Sequence, residues 1–372
     1  MTETIEGMQQ LHDTKANLTS AGTVLKTGEI FYETDTDRVR IGDGTTQGKN
    51  RPVLLDSVKE GYIANNDRIY AGRDLSTVHS AEITASYSGN VWAWIKARIT
   101  NGNFDGIHVG DYIPFTLSAG TITDGDTSYS ITSKTMNAQI AGINTYKGYG
   151  DNEVGKHIDF ITTTCIGTNI PFNKTNHNNG TSTYNNPFLA SKIYACLNGI
   201  DNTGTGYDST AYGYNASSGG VFQLLPEALR NVIIGKRVYA ESRYSGSGHL
   251  TAANTAAWVT WGTAVNSGGV TRGLWLPTEQ EVYGMPINSG GVKEASTGLD
   301  RALMGTAVQY PIFAGIAGKE GNNKVKNRVY WWLSSVASGS STLACVVYNL
   351  GIANAVECTN TNISVPVCFR IG

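Results

Sequence analysis

The chain has 372 residues with a formal net charge of −2, and 40% of its residues are hydrophobic while only 16% are charged. This length allows two or three domains of ~100 to 200 residues and a sizeable core. A near-neutral chain without a run of Lys or Arg lacks the surface that tracks phosphates, so we expect no nucleic-acid partner. The start shows no charged-then-apolar leader, and no run of ~18 apolar residues occurs, so we expect neither signal-driven export nor membrane insertion.

The stretch GEIFYETDTDRVRIGDG, which begins at Gly28, predicts two strands around a turn at TDTD. One apolar face would consist of Ile30, Tyr32, Val39 and Ile41. A calcium loop is the alternative for the aspartates of this stretch, but Val39 and Arg40 occupy the positions where that loop needs a ligand and a glycine. A turn is therefore predicted here.

Residues 1–55 form a predicted N-terminal β module, which is too small to bury a core of its own. We expect homo-oligomeric contacts to stabilise it. Residues 56–89 are polar and weakly periodic, and we interpret them as a connector.

Residues 90–372 complete a chain that we predict to be α+β and β-rich. Asn90 can cap a helix that ends at Gly102, and further helices are predicted in the segments NNPFLASKIYACLNG and LPEALRNVII. VGDYIPFTL and YSITSKTMNAQIAGI are typical of strands, with a hairpin tip at residues 124–126. From VYWWLSS onward, short strands alternate with Gly or Asn turns, and one reversal falls at Gly351.

The segment LWLPTEQEVYG has the spacing of a capping box, in which Thr278 and Glu281 satisfy each other's free backbone amides. A catalytic carboxylate pair of Glu279 and Glu281 is the alternative. Alternate residues of a helix diverge by roughly 200°, so these two side chains are not expected to face one reacting bond.

Other catalytic patterns are weak. The six histidines are scattered, without a pair spaced for metal binding, and no nucleophile elbow or phosphate-binding loop occurs in its usual context. His157 and Asp159 share one face of a predicted strand, so a general base is geometrically possible, although a structural histidine is the simpler interpretation. A carboxylate pair formed across the fold, as glycan-cleaving enzymes use, stays open.

The five cysteines are odd in number and show no CxxC pair, so neither a disulfide framework nor a zinc site is indicated. Cys345 and Cys368 lie in apolar strand-like runs, where a thiol behaves as a small hydrophobic group. We therefore predict buried free thiols, although Cys358 has more polar neighbours. We predict no cofactor and no metal site.

Two stretches resemble known families. The segment GEIFYETDTDRVRIGDGTTQGKNRPVL resembles the N-terminal module of many bacteriophage tail-fibre and receptor-binding proteins, which forms intertwined trimers that fasten to the phage tail. From about Val91, the motifs WAWIKARITNGNF, VGDY, GKHIDFI, NNPFLASKIY, LWLPTEQEVYG, VQYPIF, YWWLSSV and VPVCFRIG resemble phage proteins with a C-type-lectin-like end. This layout is similar to the variable tropism determinants served by diversity-generating retroelements.

The resemblance implies a C-type-lectin-like receptor-binding domain over residues 90–372, with a variable region at about 336–364. Adenine-directed mutagenesis would rewrite Asn codons there and change the bound ligand, while Glu357 would be a fixed position. The calcium-ligating EPN, QPD and WND triplets of sugar-binding lectins are absent, which argues against calcium-dependent sugar binding. The implied contact residues are Leu343, Val346, Tyr348, Asn349, Leu350, Ile352, Asn354, Val356, Asn360 and Asn362.

The leading hypothesis is a non-enzymatic receptor-binding protein at the tip of a phage tail, made in the cytoplasm of the bacterial host. Its expected partners are a host surface receptor, protein or glycan, and a tail or baseplate protein bound through the N-terminal module of a homotrimer. A tail-associated glycan-degrading enzyme and a prophage-encoded surface adhesin are the alternatives.

Overall fold

The structure is a computed structural model, and it describes residues 11–13, 24, 26–33, 38–42, 44–46, 53–56, 72–125, 127–148, 154–180, 184–200, 216, 219–243, 255–264, 271–289, 308–314 and 324–372. The chain divides into two compact units, Met1–Tyr70 and Ala71–Gly372. Strands account for 34% of the chain and helices for 18%, which confirms the β-rich prediction.

The first unit contains a four-stranded sheet. Its strands are β1 (Leu11–Asp13), β2 (Ile30–Glu33), β3 (Arg38–Ile41) and β4 (Val53–Asp56), in the order β1-β2-β3-β4. The two predicted strands are present as β2 and β3, whereas the TDTD turn and Asp43 lie outside the described residues. Phe31 and its cross-strand partner Arg40 are buried, while the predicted apolar face of Ile30, Tyr32, Val39 and Ile41 is half-buried in the single chain.

Three helices open the second unit: α1 (Leu75–Val78), α2 (Ser80–Tyr87) and α3 (Val91–Asn101). The Asn90 side chain caps α3, and Gly102 ends it in the left-handed conformation, as the sequence predicts. Helices α1 and α2 lie inside the segment 56–89 that we interpreted as a connector. Their Leu75 and Ile83 are buried in the core, so this part of the connector belongs to the second unit.

The later helices are shorter than predicted. Helix α4 (Lys192–Asn198) is capped by Ser191 and ended by Gly199. Asn186, the second Asn of the segment NNPFLASKIYACLNG and its expected helix cap, instead caps a turn by accepting from the backbone N of Leu189. In the segment LPEALRNVII only α5 (Glu227–Arg230) is helical; it follows a 3-10 turn at Val221–Leu224, and the segment ends in a short strand at Ile233–Ile234. Helix α6 (Glu279–Tyr283) carries the predicted capping box.

A five-stranded sheet is the main layer of the second unit. Its strands are β5 (Tyr112–Leu117), β8 (Lys134–Ile143), β9 (Ile158–Cys165), β10 (Ile233–Ile234) and β18 (Pro366–Ile371). Their order is β10-β18-β9-β8-β5, with antiparallel neighbours throughout. The sheet therefore joins the beginning and the end of the unit.

Smaller sheets complete the unit. The two-stranded pairs are β6 (Gly120–Thr123) with β7 (Ser128–Ile131), β11 (Lys236–Ser242) with β12 (Thr255–Trp261), and β13 (Thr263–Ala264) with β14 (Thr271–Arg272). A three-stranded antiparallel sheet consists of β15 (Trp331–Val336), β16 (Leu343–Val347) and β17 (Ala353–Glu357). Residue Trp331 also bridges to Ser364, which leads into β18.

The core is rich in aromatic side chains. Trp92 makes edge contacts with Phe115, Phe160 and Phe369, and the last two rings stack at 5.1 Å between centroids. Aromatic pairs add to the stabilisation that burial of their area provides. Apolar strand-like runs such as VYWWLSS and VPVCFRI predict core positions, as does the run around Cys345. The residues of these runs that are fully buried include Trp331, Trp332, Cys345, Val365, Val367 and Phe369.

Candidate functional site

The turn between β16 and β17 carries the most exposed part of the predicted surface. The backbone N of Tyr348 donates to the carbonyl O of Ile352 at 2.8 Å, and that of Gly351 donates to the carbonyl O of Tyr348 at 2.8 Å. Gly351 has a φ of 85°, which a glycine adopts without steric cost. Leu350 and Ile352 are 65% and 59% exposed on this turn, as the position of Gly351 predicts.

Most of the other predicted contact residues are only partly exposed. Asn362 is exposed, and the half-buried ones are Leu343, Tyr348, Asn349, Asn354, Val356 and Asn360. Tyr348 stacks on Tyr330 with 4.6 Å between ring centroids, so part of its ring surface is already covered by a contact within the chain.

Val346 is fully buried, which corrects our expectation for that residue. It lies in β16, the central strand of the three-stranded sheet, where residues 344–347 are buried on both faces. A strand covered on both sides has no exposed alternate positions, and the unbroken apolar run LACVV is typical of such a strand.

Side chains outside the predicted variable region, residues 336–364, hold part of its backbone. The amide of Asn178 donates to the carbonyl O atoms of Ser340 and Leu343, both at 2.7 Å, and the guanidinium of Arg243 donates to that of Ala337 at 2.7 Å. The backbone of the β15–β16 loop is therefore fixed by side chains from distant parts of the second unit.

The turn itself is tied to helix α6. Burial raises the pKa of Tyr283, whose hydroxyl stays protonated and donates to the carbonyl O of Gly351 at 3.0 Å. The loop that follows this helix, residues 284–289, is therefore a neighbour of the exposed turn in the fold.

The buried carboxylate of Glu279 organises that loop. It accepts from the backbone N atoms of Ile287, Asn288 and Ser289 at 2.8 to 3.0 Å, and from the side chains of Asn288 and Ser289. Met285 and Ile287 of this loop are 59% and 54% exposed. Sequence reasoning missed both residues, and the only local signal was apolar residues without period between Gly284 and Ser289.

The histidine and carboxylate groups considered as catalytic candidates are buried. His157 lies 3.8 Å from Asp159, and burial, with Arg370 nearby, lowers its pKa to about 4. Asp159 accepts from Arg370 at 2.7 and 2.8 Å and from the hydroxyl of Tyr310 at 3.0 Å. The His157–Asp159 pair is therefore enclosed and already bonded, in agreement with the structural interpretation.

The carboxylates of α6 diverge as expected. Glu281 caps Thr278, pairs with Lys236 at 2.5 Å and accepts from the hydroxyl of Tyr146. The Lys236 ammonium also lies 3.8 Å from the Trp275 ring centroid, a cation–π distance. Glu279 points instead to the 284–289 loop, so the two carboxylates serve different contacts.

Metal and thiol chemistry find no support among the described residues. In that part of the chain, no three His, Cys, Asp or Glu side chains are grouped to hold a metal ion. All five cysteines are buried and unbridged, including Cys358. Across the ranges given above, no helix combines the length and the apolar character needed to cross a membrane.

Comparisons with known proteins give two family-model matches, each to a part of the chain. Residues 12–46 match the model of the major tropism determinant N-terminal domain, and residues 222–372 match a domain of unknown function, DUF6273. Neither a curated protein nor a solved structure matches the chain. The N-terminal match supports a tropism-determinant-like phage protein, which is consistent with receptor binding in general and with association with the virion.

Proposed function

We propose that this protein attaches a phage to its host, and that it contacts the host receptor through the turn at residues 348–352 and the neighbouring strand β17. The observation that carries the proposal is the exposure of Leu350 and Ile352 on a turn whose backbone is held by its own hydrogen bonds and by one from the hydroxyl of Tyr283. Solvent-exposed aliphatic side chains in fixed positions are costly to hydrate and are typical of binding surfaces.

A variable surface on a C-type-lectin-like domain is the finer proposal. It is supported by a separation between the groups that hold the backbone of the region and the side chains that are exposed on it. Side chains outside residues 336–364, those of Asn178, Arg243 and Tyr283, donate to backbone carbonyl groups of the region. Within the region, Asn354 and Asn360 accept from the backbone N atoms of Ala355 and Asn362. Side chains at Leu350, Ile352 and Asn362 can therefore change while these bonds remain.

We further propose that the protein is not an enzyme. Hydrolysis of a glycan needs two carboxyl groups that reach the substrate. Asp159, Glu241, Glu279 and Glu281 are all buried and bonded within the chain. Incubation with host polysaccharide should release no reducing ends, and their release would favour the glycan-degrading alternative.

The N-terminal module is proposed to bind a tail or baseplate protein as part of a homotrimer at the tail tip. The half-buried apolar residues Ile30, Tyr32, Val39 and Ile41 support a further chain against this sheet. Light scattering should give three times the chain mass of 39.8 kDa. A mass of one chain at every concentration would contradict the trimer. Detection of the protein on the surface of the bacterium would favour the adhesin.

The receptor surface is tested with the double variant Leu350→Ser/Ile352→Ser. Both side chains are exposed, so we expect stability within ±0.5 kcal/mol per site and a loss of adsorption to host cells. Tyr348 is left intact because its stacking on Tyr330 also stabilises the fold. Val78→Ser is the matched control, since Val78 is 48% exposed on helix α1. Unchanged adsorption of the double variant would place the receptor site elsewhere.

A further inference from the structure

Residues 326–329 form a tight turn, the arginine turn, which carries an exposed arginine in an unusual backbone conformation. The backbone N of Val329 donates to the carbonyl O of Lys326 at 3.1 Å, and these two residues form a β-bridge. Between them, Asn327 and Arg328 have φ values of 52° and 54°. Two successive left-handed residues are typical of type I′ turns, which favour glycine and asparagine and strain a longer side chain. Arg328 is therefore a sterically unfavourable residue at its position.

Buried contacts fix the arginine turn on the second unit. The ammonium of Lys326 is buried and donates to the carbonyl O of Thr162 at 2.6 Å. It also lies 5.4 Å from the ring centroid of Trp331, at the start of β15. Arg328 is exposed, and across the part of the chain that the structure describes its side chain makes no hydrogen bond or ion pair. The turn therefore presents a cation to solvent on a backbone that is fixed from the core.

The strand register places the arginine turn beside the turn at residues 348–352, the receptor turn. Trp331 pairs with Val347 in the antiparallel ladder of β15 and β16. One residue further, Tyr330 lies opposite Tyr348, and the two rings stack with 4.6 Å between their centroids. Because β15 begins where β16 ends, the arginine turn and the receptor turn lie at the same end of the three-stranded sheet.

The side chains at this end of the sheet indicate the chemistry of a partner. Arg328 supplies a planar guanidinium, whose fork of donors matches the two oxygens of a carboxylate. Val329, Leu350 and Ile352 are exposed aliphatic residues, and the stacked tyrosines lie between the two turns. Tyr and Arg are enriched in protein interfaces and dominate their binding energy. A protein surface presents carboxylates and apolar side chains together, whereas an acidic polysaccharide surrounds its charges with hydroxyl groups.

We propose that Arg328 contacts the receptor and pairs with the carboxylate of an acidic side chain on a host surface protein. This inference rests on the proposed function, which assigns the receptor turn to the receptor. Arg328 lies outside residues 336–364, so its contact stays constant while changes in that region alter the specificity. Backbone strain persists at binding sites where the strained residue contributes to function, which accounts for an arginine at this position.

The variant Arg328→Gly separates binding from stability. Glycine adopts a positive φ without steric cost, so we expect a melting temperature equal to or above that of the wild type. Adsorption to host cells should fall about tenfold or more, because a charge-assisted contact is lost. Asn327→Gly is the matched control, since it changes the neighbouring left-handed residue and keeps the guanidinium, and it should adsorb like the wild type. An equal loss in Asn327→Gly would trace the effect to the backbone and overturn the inference.

The variant Leu350→Ser/Ile352→Ser distinguishes this inference from the proposed function. If that double variant loses adsorption while Arg328→Gly adsorbs normally, the inference is overturned and the proposed function stands. If both variants adsorb like the wild type, the proposed function falls and the inference falls with it.

Treatment of the host cells tests the chemistry of the partner. Conversion of surface carboxylates to neutral amides with a carbodiimide and glycinamide should reduce adsorption of the wild type to the level of Arg328→Gly, and should change that of the variant little. No reduction, or an equal reduction for both proteins, would overturn the charge pair. Cells treated with proteinase K should lose adsorption and periodate-treated cells should retain it, whereas the reverse pattern would overturn the protein partner in favour of an acidic glycan.

Discussion

Glu279 and Ser289 are joined by two hydrogen bonds, in which the backbone N and the hydroxyl of Ser289 both donate to one carboxylate oxygen, at 2.8 and 2.7 Å. We predict that Glu279→Gln destabilises the protein by ~2 to 3 kcal/mol, because an amide NH₂ then faces backbone donors. Hydrogen exchange should show faster exchange at Ile287 and Ser289. The control Glu82→Gln changes a 38% exposed side chain and should stay within ~0.5 kcal/mol. Unaltered exchange in Glu279→Gln would contradict this role.

The buried pair of Asp159 and Arg370 gives a second prediction. Replacement of Arg370 by Leu should cost ~3 to 5 kcal/mol in urea denaturation, because it leaves a buried carboxylate without its cation. The double variant Asp159→Leu/Arg370→Leu should recover a large part of that loss, since neither charge then remains. A single variant as stable as the wild type would show that solvent reaches Asp159.

His157 should make the protein less stable in acid. Its pKa is about 4 in the folded chain against the ordinary value of 6.5, with burial as the first cause. The unfolded chain binds the proton more tightly, so the stabilisation is complete above pH 6.5 and is lost as the pH falls from 6.5 towards 4. Melting temperatures measured over this window should fall more steeply for the wild type than for His157→Gln. Parallel curves would contradict the shift.

Glu241 should give the opposite pH dependence, with stability that falls as the pH rises. Burial raises its pKa from 4.5 to about 7, although Ser335 and the backbone of Val336 hydrogen-bond to it. The folded chain holds this proton more tightly than the unfolded chain does. The contribution of Glu241 to the free energy of unfolding is therefore complete below pH 4.5 and is lost as the pH rises to 7. Glu241→Gln mimics the protonated form and should gain stability relative to the wild type at pH 8 but not at pH 4. An equal difference at both values would rule this out.

The thiols give a test of the core. Cys165, Cys196, Cys345, Cys358 and Cys368 are buried, and burial raises the pKa of each thiol, to about 11 for Cys165 and about 12 for Cys196. Because the thiolate is the reactive form, the native protein should resist Ellman's reagent at pH 8. All five should react in urea. Rapid labelling of Cys358 in the native protein would show that the β17 end of the sheet opens.

Local signals in the sequence were sufficient for several elements. The cap at Asn90, the stop at Gly102 and the capping box of Thr278 and Glu281 each involve residues within one or two turns of a helix. The reversal at Gly351 follows from a single residue that tolerates positive φ. These predictions needed no knowledge of distant contacts.

Features set by distant contacts were not predictable in the same way. Val346 was expected on the receptor surface because of the resemblance, whereas the continuous apolar run LACVV around it fits the strand covered on both faces that the structure shows. Helices α1 and α2 carry a weak apolar pattern, and tertiary packing of Leu75 and Ile83 makes them part of the unit. Met285 and Ile287 are exposed because Glu279 fixes their loop, which is a relationship that spacing alone does not encode.

The pairing of β18 with β9 has a consequence for synthesis of the chain. Ile371 pairs with Ile158 and Phe369 with Phe160, so the main sheet contains neighbours that the ribosome makes more than two hundred residues apart. Closure of so long a loop is entropically unfavourable, and folds with distant contacts form slowly. Strands β15 to β17 leave the exit tunnel before β18 completes the layer next to them. Nascent chains should therefore expose Trp331 and Trp332 until β18 has left the exit tunnel and paired with β9, and during that interval they should depend on chaperones to avoid aggregation.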